Sequence, residues 1–284
     1  MPLQPHTFKR LVLGLQPSAP DRIMQLAADL AEVLDLELLG LFLEDTSLRN
    51  LARIPFAREF SPLGGGWRAM DVDRLTHELE VAARSTERMF TDAVKRLPIK
   101  CDFEVIRGPT AEIIASVSRT GDILMVVEPA SAAERATQQF SWLVEAAFKS
   151  AAAVMLVPSR ILLTAGPIVA IATRPDDPSI HAAAAIAKAT KENLVIIDAH
   201  EQDGDEAAIR KLAAETGLSV KRIPAAERPL SHPGIWAQTF DALRERLVVM
   251  TRGPLAYEVA SSIASARQVP VLVIEAQDTI GDED

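Results

Sequence analysis

The chain has one cysteine, Cys101, among 284 residues. A lone thiol excludes an internal disulfide and any zinc site built on cysteines, and it suits a reducing compartment, so the cytoplasm is the expected location. Long apolar runs are also missing. The run after Arg10 ends at Leu15 before Gln16, Pro17 and Ser18, far short of the ~18 residues of a membrane span. A soluble, unprocessed chain with no membrane partner is expected. Lys and Arg number 30 against 39 Asp and Glu, for a net charge of −9. The bases are scattered, which leaves no phosphate-backbone footprint and argues against nucleic acid.

Catalytic signatures are absent as well. His6, His77, His181, His200 and His232 show no H-E-x-x-H spacing. His200 with Glu201 and Asp203 comes nearest and reads as a solvated loop. There is no Gly-x-Ser-x-Gly elbow and no Walker loop, and Gly64 to Gly66 run into Trp67, which fits no dinucleotide pattern. No pair of acid and base residues stands at a telling spacing, so neither an enzyme nor a metal site is expected.

What is present is an ordinary globular mixture, 48% apolar and 24% charged, in a length that suits two domains. Leu11 to Leu15 reads as a buried strand. Ile23, Leu26, Ala27, Leu30 and Leu34 follow at helical spacing, then Leu38 to Leu43 as a second strand. Continuous apolar strands joined by a helix imply a parallel sheet covered on both faces.

The same order returns further along. Ile168 to Ala172 overlies Leu11 to Leu15, Arg246 to Met250 overlies Asp122 to Val127, and Pro270 to Ile274 overlies Ala153 to Val157. Third strands are read at Cys101 to Ile106 and Leu218 to Ile223, and helices at Val72 to Arg96, Phe140 to Lys149 and Ala256 to Ala266. The expected domains are 1–160 and 161–284. Their ten-residue join, Pro158 to Pro167, is too short for a loose tether, so the halves should pack together. The first carries an insertion at about 46–71, rich in Gly and Pro and expected to form no regular element. Its functional reading is a lid or docking loop bearing Phe56, Phe60 and Trp67. Cys101 should pack as a small hydrophobe, and the acidic tail 278–284 should be disordered.

One segment carries a family resemblance. Val105 to Ile114, with Gly108, Pro109 and Thr110, followed by Thr120 to Val127, resembles the third strand, turn, helix and fourth strand of the universal stress proteins. The likeness extends over Leu11 to Pro158 and Ile168 to Glu275. It implies two tandem Rossmann-like α/β domains of the adenine nucleotide alpha hydrolase type, each a five-stranded parallel sheet of order 3-2-1-4-5 flanked by helices. It further implies that fifth strands pair domains.

Nucleotide-binding members of that family carry Gly-x-x-Gly, nine residues, then Gly and Ser or Thr between strands four and five. Glycines let backbone N–H groups approach phosphate at a helix N-terminus. Here no glycine occurs from Asp122 to Ala165, Phe140 and Ser141 stand at the Gly-Ser place, and Glu128 opens the loop. In the second copy Tyr257 and Glu258 stand there, behind Thr251, Arg252 and a shortened loop. The family's acid after strand one is replaced by Gln16, and by Thr173 and Arg174. Asp176, Asp177, Pro178 and Ser179 read as a helix cap.

Both ATP and AMP are therefore disfavoured as ligands. Ligands of open α/β sheets bind beyond the carboxyl ends of the strands where strand order reverses. That rule nominates Gln16, Ser18, Glu44, Glu128 and Ser141 in the first copy, and Thr173, Arg174, Asp198, Thr251 and Arg252 in the second. The expected role is non-catalytic, regulatory or stress-related, exerted through protein partners or self-association, a homodimer included. The alternative is a small-molecule or adenine-nucleotide sensor using a modified crevice.

Overall fold

Strands that are apolar at consecutive positions can be buried only between two layers of helices, and that is the architecture adopted. The computed structural model describes residues 8–15, 21–54, 56–61, 65–129, 131, 135, 137–150, 152–199, 206–224, 240 and 243–275. The first half contains β1 (Arg10–Leu15), α1 (Asp21–Val33), β2 (Glu37–Asp45), α2 (Thr46–Ala52), β3 (Arg58–Ser61), β4 (Gly66–Ala69) and α3 (Val72–Val94). It continues through β5 (Cys101–Gly108), α4 (Thr110–Val117), β6 (Asp122–Val127), α5 (Gln138–Lys149) and β7 (Ala153–Val157). The second half contains β8 (Ile168–Ala172), α6 (Pro178–Thr190), β9 (Leu194–Asp198), α7 (Glu206–Thr216), β10 (Val220–Pro224), β11 (Leu247–Thr251), α8 (Ala256–Arg267) and β12 (Val271–Ile274).

Ten of these strands form one sheet in the order β10-β9-β8-β11-β12-β7-β6-β1-β2-β5. Counting only the sheet strands of each half, both read 3-2-1-4-5, the expected order. All neighbours are parallel except the central pair, β7 and β12, where Val154, Met155 and Leu156 face Val273, Leu272 and Val271. Sliding the first half by 117 residues places Met155 on Leu272, so equivalent residues face each other. The junction is a local twofold axis running through the fifth strands.

Helices α1, α3, α6 and α7 cover one face, with Ile23, Leu30, Phe90, Ala183 and Ile186 in its core. Helices α4, α5 and α8 cover the other, around Ile113, Phe140, Val144, Val259 and Ile263. Capping explains where helices begin. Asp71 accepts from the backbone N–H of Asp73 (3.0 Å) and Arg74 (3.2 Å), which starts α3 at Val72. Thr137 caps α5 through the Phe140 N–H. The join between halves is pinned at Gly166, whose N–H donates to the Glu192 carboxylate at 3.2 Å.

The insertion departs from expectation. It is not irregular: α2 follows β2 directly, and β3 and β4 form a two-stranded antiparallel sheet pairing Phe60 with Trp67. Strands of four residues flanked by glycine give no periodicity, and cross-strand partners supply the order instead. Cys101 is half-buried at the start of β5, and burial pushes its thiol pKa up. No helix among the described residues is long and apolar enough to cross a membrane.

Candidate functional site

Strand order reverses between β1 and β6 in the first half and between β8 and β11 in the second. These are the crevices where an open α/β sheet receives a ligand. Gln16 and Ser18 lie outside the described residues. The remaining candidates divide into side chains facing their own crevice and side chains turned toward the opposite half.

The second crevice is filled from within. Asp177 is fully buried and caps α6, accepting from the Ser179 N–H at 2.9 Å. Its other oxygen accepts from the Thr173 N–H at 2.8 Å and the Thr173 hydroxyl at 2.7 Å. The Thr251 hydroxyl donates to Asp177 as well. Thr173 directly follows β8 and Thr251 ends β11, so one carboxylate ties together the two strands that border the crevice. Desolvation pushes its pKa up, but the bonds from Thr251, Thr173 and Ser179 outweigh that and hold it below the usual carboxylate value. Arg174 is exposed beside this cluster. Asp198, at the end of β9, is buried and ion-paired with Arg222 of β10.

Glu128 and Arg252 occupy equivalent positions, the first residue after the fourth sheet strand of each half, and both cross the junction. Glu128 is only 1% exposed. It accepts from Ser261 (2.6 Å) and Ser265 (3.2 Å), one helical turn apart on α8 of the other half. Burial raises its pKa, and those two bonds offset part of the rise. Arg252 donates to the carbonyls of Ser150 (3.0 Å) and Ala152 (2.8 Å) beyond α5. Its guanidinium lies 5.8 Å over the Phe148 ring and pairs with Glu275 at 2.6 Å. Its Nε–H is buried and finds no acceptor among the described residues, and desolvation lowers its pKa.

In the first half, Glu44 is buried at the end of β2 and accepts from Arg107 Nε of β5 at 2.9 Å. Ser141 is exposed on α5, and its hydroxyl donates to the Thr137 carbonyl at 3.2 Å. Of the nominated residues that are described, Thr173 and Thr251 are brought together on Asp177. The residues that sequence reasoning missed are Ser261 and Ser265, whose signal was two hydroxyls at i, i+4 on α8. Asp177 was legible as a cap, but its bond to Thr251 spans 74 positions.

Among the described residues no group of three or more His, Cys, Asp or Glu is placed to hold a metal. A cavity of about 70 Å³ lies away from both crevices, between Leu26 and Leu30 of α1, Ile186 and Thr190 of α6, and the join at Ile161 and Leu163.

No family model matches the sequence, and no curated protein does. Among solved structures, the chain is similar to a universal stress protein from Archaeoglobus fulgidus DSM 4304, with a TM-score of 0.69 and 14% identity, covering 96% of this chain and 98% of that one. It is also similar to a functionally unknown protein from Pseudomonas aeruginosa PAO1, with a TM-score of 0.51 and 16% identity, covering 96% and 94%. Identities this low bear on backbone architecture alone: the chain has the universal stress protein fold, built twice along one continuous sheet.

Proposed function

We propose that this protein is a non-catalytic scaffold of the universal stress type, a fused pair of units dividing at 160/161, that acts through protein contacts in the cytoplasm without a nucleotide cofactor. The observation that carries the reading is Asp177. A ligand phosphate entering the second crevice would have to displace a fully buried carboxylate from two threonines and a helix N-terminus, and like charges repel. In the first half Glu128 places a second buried acid where a phosphate loop would begin, already bonded to the opposite half. The missing glycines from Asp122 to Ala165 support the same reading. The charge balance and the lone cysteine favour a cytosolic partner that is neither nucleic acid nor membrane.

Thermal unfolding with and without millimolar ATP, AMP and magnesium tests this. A ligand at 100 times its dissociation constant raises stability by about 2.7 kcal/mol. No shift, with no nucleotide released on denaturation, is the expected result. A shift of several degrees overturns the scaffold reading in favour of a small-molecule sensor.

A further inference from the structure

Among the described residues, five of the twelve exposed large apolar side chains fall between residues 51 and 67: Leu51, Ile54, Phe56, Phe60 and Trp67. Phe56 is 89% exposed, Trp67 65% and Phe60 53%. The β3–β4 ribbon sorts them. Phe60 and Trp67 face each other across the strands, their rings edge to face at 5.6 Å. Alternation puts Arg58 and Ala69 on that same face. The opposite face carries Glu59 and Arg68, and Glu59 is bound by both Arg68 and Arg74 of α3.

The insertion's acids are thus in use, Glu59 in these pairs and Asp71 as the α3 cap. The outward face is aromatic and, through Arg58, cationic, with Arg53 exposed a few residues before it in the chain, in a chain of net charge −9. Among the described residues the ribbon pairs with no third strand. A two-stranded sheet is marginal alone and gains from an added strand. Its complement is an extended segment with acids around an apolar residue. Lipid suits it less well: unpaired strand edges are costly in hydrocarbon, and anionic-lipid sites gather ~4–8 bases.

We propose that this face receives residues 276–284 of a second copy of the chain, in a reciprocal exchange between two molecules. That segment, outside the described residues, holds Asp278, Asp282, Glu283 and Asp284 around Ile280, with no base. The other acid-rich run, Glu201 to Glu206, has no large apolar residue. A molecule's own segment falls short. β12 runs antiparallel to β7, so it ends at the edge of the sheet opposite to the ribbon and four strands from β2. Four spacings of ~4.8 Å and a strand length of ~17 Å put that distance at about 25 Å through the sheet and more around it. Ile280, six residues past Ile274, extends at most ~20 Å. A reciprocal exchange closes as a twofold dimer.

The inference deepens the scaffold reading and rests on it only in taking protein contact as the chain's role. Nucleotide-induced stabilisation would remove that reading without touching oligomeric state, so the two fail separately. Sedimentation equilibrium of the full chain over a range of concentrations and salt, against a chain ended after Glu275 and the F60S/W67S variant, tests the exchange. The expected result is a dimer weakened by salt, with the dissociation constant raised about tenfold or more in each altered chain, while circular dichroism and melting temperature report intact folds. Should either variant melt early, a peptide of residues 275–284 titrated into the wild-type chain is expected to dissociate the dimer and change Trp fluorescence. A monomer at all concentrations, a dimer indifferent to both changes, or loss only when acids in 201–206 are neutralised overturns the proposal. Ribbon-dependent pelleting with anionic phosphatidylserine vesicles by the chain ended after Glu275 would assign the face to lipid instead.

Discussion

Arg252→Ala strips two backbone carbonyls, those of Ser150 and Ala152, of the donors that cross the junction. A hydrogen bond to a charged group contributes ~1.5–3 kcal/mol, and an orphaned buried acceptor costs a similar amount. Releasing the desolvated guanidinium returns part of that. The exposed pairing with Glu275 adds little. The net cost is about 3 kcal/mol. With an unfolding entropy of ~2.1 cal/mol/K per residue, a chain of 284 residues melting as one unit should lose about 5 °C. Differential scanning calorimetry at pH 7 reads both the shift and whether the halves still melt together. Arg252→Lys should recover about half the loss, because an ammonium reaches one carbonyl without the planar fork. Salt should leave the difference unchanged, since buried contacts are weakly screened. A melting temperature within ~1 °C of wild type would refute the claim that this arginine fastens the halves.

Three further outcomes follow from the same contacts. The folded pKa of Glu128 is raised, so its contribution to stability is complete below the unfolded value of ~4.3 and is lost as pH rises through the folded value; Glu128→Gln should flatten that decline in urea titrations between pH 4 and 8, and an unchanged slope would count against it. Asp177 has the opposite sign, being depressed, so its stabilisation is present above ~3.9 and lost as pH falls through the folded value. Asp177→Asn should cost about 2–3 kcal/mol at pH 7, since an amide donor then faces the Thr173 N–H, and should lose less than wild type on acidification. Gly166→Ala should destabilise by about 3 kcal/mol or more in chemical denaturation, because its Cβ would stand 2.1 Å from the Arg244 carbonyl oxygen at φ +140°.

Most of the backbone plan was legible in the sequence because the buried strands are continuous in apolar residues and some helices announce their start. Ile168 to Ala172 and Asp122 to Val127 were read at the bounds observed, and Asp177 and Pro178 marked α6 by their own chemistry. The strand order came with the family resemblance. The ribbon at Arg58 to Ala69 was not legible, since four-residue strands beside Gly64 to Gly66 look like loop until Phe60 is set opposite Trp67. Nor were the destinations of Glu128 and Arg252. Both were visible as loop-opening residues, but where each side chain goes is decided by the register of β7 against β12, which no local pattern encodes.

That register also shows what covalent fusion permits. A dimer of identical chains must place the same residue at both symmetry-related positions, so an acid at one loop head implies an acid at the other. Here one head is Glu128, answered by hydroxyls, and the other is Arg252, answered by carbonyls and an aromatic ring. Sliding by 117 residues, the places of Ser261 and Ser265 in the first half belong to Val144 and Phe148, which offer a carboxylate nothing. Two copies of the first half brought together by their fifth strands would therefore bury two unanswered acids. The halves have become complementary in place of interchangeable, and neither retains a surface suited to its own duplicate.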